Sequence, residues 1–446
     1  MYPRHRIDIS AREFARAVRI ASCRSSLEDA NRDIVSRYDG DTLTTLSVRS
    51  AFDLLLSSLG LQPGDEIIMS ALTIADMGRI VAAHGLSVVP VDVDPHTLAP
   101  DMRHLEQVLS RRSRMIVVAH LFGGRANLEQ VAAVARARGL LLAEDCAQAL
   151  RGAEDCGSPL ADISMFSFGT LKTATAFGGA ITHVRRPGLA QRMSELEAAW
   201  PHRDARWYRA RLARYAGILP LQQHHTYGMV MRVLALRGQD VHRQINRVTR
   251  GFSNGPSQLI SAIRHRPPGE LVRVLADRLD NFPEERLMLR REYGERIRDA
   301  LPEGVCLLGA GQQEHSHWML PVLAPDNAAT IASLRSHGCD ATRASDTNMV
   351  ALQPAAAVYT AAVQAADAAA RAVFIPGYPE LGVRGVAKVI AGLHSACRVP
   401  HAASGSAAGV MGKDVSDVQP HENSAGHARA RRGWGRRILV ARTPSR

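Results

Sequence analysis

Lysine is scarce in this 446-residue chain: among 55 basic residues only Lys172, Lys388 and Lys413 are lysine, and the others are arginine. Arginine stays protonated and makes no covalent bond to a carbonyl, so a lysine kept in a loop of small residues invites a chemical reading. Cysteine is also sparse. Cys23, Cys146, Cys156, Cys306, Cys339 and Cys397 lie far apart, with no C-x-x-C pair and no histidine cluster at metal-ligand spacing. That argues against a disulfide framework and against a zinc site. No uninterrupted apolar run reaches the roughly 18 residues of a membrane span, and MYPRHRIDISAREFARAVRIAS at the start lacks a signal-peptide apolar core. The expectation is a cytoplasmic, reducing location, with no membrane span and no metal.

The formal charge is +12, but residues from 401 onward hold eight Lys or Arg against three acids, so much of the excess sits in one Gly/Ala/Ser- and Arg-rich tail. The remainder fits an anionic substrate or cofactor, and equally a solvated arginine-rich surface. No basic patch is interleaved with aromatics, so nucleic acid is not an expected partner. The length and the 46% hydrophobic content suffice for two packed units.

Residues 47–184 alternate between helical and strand patterns. Helical stretches at 47–61, 76–85, 102–112 and 127–139 lead to apolar runs at 66–71, 86–94, 115–124 and 140–148, followed by strands at 163–169 and 178–184. This is the pattern of an α/β fold with a mostly parallel sheet covered by helices, which binds ligands at the carboxyl ends of its strands. The expected division is an N-terminal helical segment (1–45), a large-domain core (46–184), a helical arginine-rich connection (185–274), a smaller C-terminal α/β domain (275–400) with a long helix at 280–301, and a disordered basic tail (401–446).

Lys172 stands in FSFGTLKTATAFGGA (166–180), after an apolar strand and among small residues that leave room for a planar ring. It reads either as a desolvated nucleophile or as a surface lysine between two strands. Asp145 follows the apolar run LLLA, where a carboxylate is costly without a positive partner. Such a partner could be a pyridinium nitrogen, and the other reading is a cap for the next helix. The helix start SVRSAF (47–52) offers amides, the Ser50 hydroxyl and the Arg49 guanidinium to a phosphate. Ser167 could add a hydroxyl, or could be a buried serine bonded to backbone.

With these residues in hand, the chain resembles the DegT/DnrJ/EryC1/StrS sugar aminotransferase family. The resemblance is carried by PGDEIIMSALT (63–73), VVPVDVDPHTLAPD (88–101), HLFGG (120–124), AEDCAQALRG (143–152) and FSFGTLKTATAFGGA (166–180). It implies the fold-type-I architecture of enzymes that use pyridoxal 5'-phosphate. It further implies that Lys172 bonds covalently to the cofactor and shuttles protons, that Asp145 pairs with the ring nitrogen, and that Gln148 lies near the ring or its phenolic oxygen; His120, at the same strand-end edge, is a further cofactor-contact candidate. Arg49, Ser50 and Ser167 would contact the phosphate. The implied reaction moves an amino group, from glutamate, to a nucleotide-linked keto-sugar, in a homodimer with shared active sites. Several positions depart from the pattern. Ile74 stands where an aromatic usually stacks on the cofactor, GFSNG (251–255) only echoes a partner-reaching run and leaves Asn254 as a substrate candidate, and His315 in HSHW stands where the family has a similar element. Members that replace the lysine with histidine dehydrate sugars, and retention of Lys172 favours transamination. Another reaction with the same cofactor, such as dehydration, elimination or aldol cleavage, and a non-catalytic sensor on this fold, are the competing readings.

Overall fold

The apolar runs of the first half become a seven-stranded sheet, because each is flanked by a helix able to cover one of its faces. The computed structural model describes residues 1–237, 258–312, 314–347, 349–354 and 359–398. The strands are Asp41–Thr45 (β1), Glu66–Ser70 (β2), the short Leu72–Ile74 (β3), Ser87–Val91 (β4), Ser113–Ala119 (β5), Leu141–Asp145 (β6), Ile163–Ser167 (β7) and Ala180–Val184 (β8). Their order in the large sheet is β1-β8-β7-β6-β5-β2-β4. Pairs from β4 to β7 are parallel, and β8 and β1 close one edge antiparallel. Pro90 lies in β4, at the opposite edge, where a missing N–H costs no ladder bond.

The fold is the expected α/β arrangement with a mostly parallel sheet, with local differences. Residues 1–45 are not all helical: helices Ala11–Ser22 and Leu27–Val35 precede β1, which pairs with β8 from Asp41↔Val184 to Thr45↔Ala180. The helix expected at 280–301 is present but shorter, Glu284–Asp299, and a separate helix, Gly269–Asp280, precedes it. Pro283 separates them, since a proline inside a helix removes an N–H and clashes with the preceding turn. A second, four-stranded sheet is built from Cys306–Leu307 (β9), Leu320–Leu323 (β10), Thr342–Arg343 (β11) and Ala372–Ile375 (β13), in the order β11-β13-β10-β9. Met349–Ala351 (β12) pairs instead with β3, placing Met349 opposite Ile74.

Residues 1–400 form one compact unit. Residues 401–446 lie outside the described residues, as does the expectation that they are disordered. No described helix is long and apolar enough to cross a membrane.

The segment carrying Lys172 is wedged between the large sheet and the helix Gly269–Asp280. Leu271 is fully buried, and a Cβ added at Gly178 would come within 3.1 Å of its Cδ1, while one at Gly179 would meet Leu275 at 3.4 Å. Gly179 has φ of +85°, a conformation that glycine adopts without steric cost. The double glycine therefore lets the helix approach the loop. We predict that Leu271→Ala lowers unfolding stability by about 2–5 kcal/mol, the usual range for a buried leucine, and a urea denaturation series checks it.

Candidate active site

Three parallel strands end at one edge and present the expected residues there: β5 runs into His120, β6 ends in Asp145 and β7 ends in Ser167. Ala119 is registered on Asp145, which is registered on Met165. After β7 the chain turns through Phe168–Gly179, closed by Phe168 N–H to Gly179 O at 3.0 Å and by Ala176 N–H to Phe168 O at 3.0 Å. Thr175 donates its hydroxyl to Gly169 O at 2.8 Å, and Tyr208 donates its own to Ala176 O at 2.8 Å. Ala174 and Phe177 hold φ of +52° and +61°, uncommon for side-chain-bearing residues, so tertiary contacts hold this loop against its local preference.

Lys172 sits at the head of that loop, part-buried, with its Nζ 4.2 Å from the ring centroid of Trp318. The indole is fixed by a hydrogen bond from its Nε1 to Leu171 O at 2.8 Å. Burial lowers the lysine from 10.5 to about 8; Asp145 opposes this by attraction and Arg49 adds to it by repulsion. Asp145 is buried, and burial raises its carboxyl above the ordinary value, against the Ala147 N–H at 2.9 Å and the nearby Lys172. Structure thus brings Lys172, Asp145 and Arg49 within electrostatic reach of one another. Arg49 is also oriented by Asp76, with Nε to Oδ2 at 2.7 Å.

The other expected residues are placed less uniformly. Ser167 accepts only a long bond from Gly169 N–H at 3.4 Å, and a Cβ at Gly169 would lie 3.5 Å from its Oγ and 3.8 Å from Lys172 Cγ, so hydroxyl and lysine stem flank one glycine face. Gln148 accepts the Phe122 N–H at 3.1 Å, which leaves its amide NH₂ to donate. Ser50 is fully buried and spent inside the fold: its hydroxyl donates to Ile263 O at 2.8 Å and its N–H to Ser47 Oγ at 3.2 Å. Ile74 ends β3 as the residue before the helix Ala75–Ala83.

His120 faces away from Asp145 along the strand alternation. Its Nε2 meets Glu144 Oε2 at 2.8 Å and its Nδ1 accepts the Ala126 N–H at 3.2 Å, so both ring nitrogens are committed. Glu144 also accepts from the Ser164 hydroxyl at 2.6 Å and from Ser158 N–H at 2.5 Å. These bonds outweigh burial and hold its carboxyl at about 2. Cys146 joins this pair, with ligand atoms of the three within 4.8 Å of one another, a grouping that sequence spacing did not foresee. Burial and Glu144 keep the thiol protonated, and the carboxylate's oxygens are already filled, so His120 and Glu144 form a hydrogen-bonded buttress behind Asp145, with the Cys146 thiol close by.

His315 is 8% exposed; its Nδ1 accepts the His317 N–H at 2.9 Å, and burial lowers it to about 4. It therefore stays neutral. Asn254 lies outside the described residues. The residue that the sequence reading passed over is Trp318, visible there only as the end of HSHW. Asp8 was missed too: its Oδ2 accepts the Ala174 N–H at 3.2 Å and so ties the N-terminal arm to the lysine loop.

The residues present fit pyridoxal phosphate by their donor chemistry: an amine near neutrality, a buried carboxylate beside it, a hydroxyl and a guanidinium. The site lies at the carboxyl edge of a mostly parallel α/β sheet. Residues 34–227 match the family model described as the DegT/DnrJ/EryC1/StrS aminotransferase family. Among similar proteins, a "pleiotropic regulatory protein" of Geobacillus stearothermophilus is 30% identical over 187 residues, 41% of this chain and 45% of that protein. An "L-glutamine:2-deoxy-scyllo-inosose aminotransferase" of Streptomyces fradiae is 37% identical over 150 residues, 32% of this chain and 35% of that one. The match thus spans less than half the length of these curated relatives. The solved aminotransferase TlmJ from Streptoalloteichus hindustanus superposes with a TM-score of 0.64 at 22% identity, covering 89% of this chain and 99% of that one, which establishes the shared fold.

The lowered lysine gives a direct test. Competitive acetylation followed by peptide mapping should show Lys172 reactivity rising with pH to a midpoint near 8, since only the neutral amine attacks. Asp145→Asn removes the one charge that raises it and should move the midpoint further down. A midpoint near 10.5 in the unmodified chain would contradict the site as described.

Proposed function

We propose that the chain is a pyridoxal-phosphate-dependent aminotransferase that moves an amino group from an α-amino acid, glutamate, to a nucleotide-linked keto-sugar. The observation that carries this reading is the buried Lys172 amine, lowered to about 8, beside the buried Asp145 carboxylate. Lys172 would hold the cofactor through its amine, Asp145 its ring nitrogen, and Ser167 with Arg49 its phosphate. Pyridoxal phosphate, when bound, supplies an electron sink for a carbanion at the donor's α-carbon.

The chain's own residues supply the rest. A lysine lowered to about 8 keeps a substantial neutral fraction near physiological pH, so it can take a proton from the α-carbon of the donor and return one. Asp145 keeps a proton at the ring nitrogen, since a buried carboxylate favours a cationic neighbour. Trp318 covers the amine with an apolar face, restricts water there and favours the lysine's charged form only weakly through its ring.

A second acceptor class is favoured by a specific observation. The relative at 37% identity is named for an inosose, a cyclic ketone that its name gives without a nucleotide. A free keto-cyclitol, with glutamine as donor, is therefore the second reading. Assembly as a homodimer is also part of the proposal. The helix His224–Leu236 exposes Met229 at 64%, Val233 at 42% and Leu236 at 88%, three to four residues apart on one face, as a helix that packs against another chain would. Within the protomer, 46–184 would be the cofactor core and 275–400 the smaller domain.

The test is turnover. With pyridoxal phosphate, L-glutamate or L-glutamine and a panel of nucleotide-linked keto-sugars and keto-cyclitols, we expect an aminated product with equimolar 2-oxo acid. Lys172→Ala should lose about 10²–10⁴-fold in rate, the usual contribution of a positioned acid–base group. Formation of dehydrated or cleaved product without 2-oxo acid would replace the proposal with another reaction of the same cofactor.

A further inference from the structure

Beside the lysine loop lies a narrow pocket that the site above does not use, lined by Arg6, Leu171, Arg290, Trp318 and Tyr378 among others. It shares Trp318 with Lys172. Its walls come from the N-terminal arm, from the helix Glu284–Asp299 and from the turn after β13, so three distant parts of the sequence bring cationic or hydroxyl groups to one place.

The ion pairs around it are unevenly distributed. Arg286, which does not line the pocket, takes both nearby carboxylates at 2.7 Å, Asp8 through Oδ1 and Glu380 through Oε1. Of the three lining arginines, Arg4 pairs with Asp340 at 3.7 Å, and what remains for the other two is longer than the Arg286 pairs: Arg290 to Asp8 at 3.3 Å and Arg6 to Glu380 at 3.9 Å. Both have side chains at 6% and 13% exposure, and the buried Nε of each has no hydrogen-bond partner. Arg290 Nη1 reaches Thr173 Oγ1 at only 3.5 Å, and Arg6 Nη1 reaches Gln223 Oε1 at 3.4 Å. Tyr378 is 5% exposed, its buried hydroxyl is unpartnered, and Arg6 lies over its ring at 5.9 Å. His5, also on the lining, is held neutral by burial at about 3 and adds no charge.

Buried guanidinium groups whose donors are left without hydrogen-bond partners cost free energy unless another anion completes them. Two forked donors and a phenol converging on one opening match the oxygens of a carboxylate or phosphate. We propose that this pocket binds the oxyanion of a substrate whose reacting group reaches Lys172. The placing of the reacting group rests on the reading of Lys172 as the reactive amine; the anion site itself does not. The oxyanion belongs to the amino donor if it is a carboxylate and to the acceptor if it is a phosphate.

The experiment is calorimetric titration of the full chain, without added cofactor, with glutarate in one series and inorganic phosphate in the other. Binding of either is expected, with Kd rising about tenfold or more in Arg6→Gln, as loss of a charge-assisted hydrogen bond implies, and several-fold in Tyr378→Phe. Tighter glutarate assigns the pocket to the donor, and tighter phosphate to the acceptor. Tyr378→Phe keeps the ring and its packing, so it remains informative if Arg6→Gln folds poorly, which circular dichroism reports. No binding of either anion, or equal binding by the parent chain and Tyr378→Phe, would overturn the proposal. Because no cofactor is present, failure of Lys172 to hold pyridoxal phosphate would leave this result standing.

Discussion

The amine of Lys172 is held out of water at the carboxyl edge of a parallel sheet, under the indole of Trp318 and beside a single buried carboxylate. A lysine in water is almost wholly protonated near neutrality; here desolvation removes most of that preference, and Asp145 restores part of it. Much of the surrounding structure keeps this balance. The loop conformation with positive φ at Ala174 and Phe177 is clamped by Thr175, Tyr208 and the Asp8 carboxylate, and the double glycine admits Leu271 beneath it. Behind Asp145, the hydrogen-bonded His120 and Glu144 fix the ends of β5 and β6, on which its position depends.

The pieces of the site nearest the strands were legible in the sequence, because they follow from local pattern. An apolar run that ends in a carboxylate, and a lone lysine among small residues after another such run, announce strand ends whatever the rest of the chain does. Both Asp145 and Lys172 were found that way, and so were the strands β2 and β4 to β8, with ends displaced by one to five residues. Groups that depend on tertiary packing were not legible. Nothing local distinguishes His120, whose nitrogens are committed to Glu144 and to the Ala126 amide, from a ring-contacting histidine. Ser50 reads as a free hydroxyl at a helix start until Ile263, 213 residues away, accepts its proton. Strand β1 hid in DTLTT, a polar run whose partner β8 lies some 140 residues on.

Trp318 and the N-terminal arm show where the functional surroundings of a strand-edge site originate. Neither belongs to the segment that matches the family model, residues 34–227, yet Trp318 covers the lysine, and Asp8 holds both the lysine loop and the arginines of the helix Glu284–Asp299. Lys172 and Asp145 thus come from the matched span, whereas what covers and surrounds the amine comes in part from outside it. That division accounts for a reaction class that can be argued from Lys172 and Asp145 while the substrate must be argued from charge and space around them.

The most direct test of the central claim is the absorbance spectrum of the full chain with pyridoxal phosphate, before and after borohydride reduction, with peptide mapping of the reduced sample. The account predicts a band near the visible edge that reduction abolishes, with the cofactor fixed covalently to Lys172 and to neither of the other two lysines. A folded, cofactor-saturated sample that shows no such band, or that carries the label on Lys388 or Lys413, would contradict it.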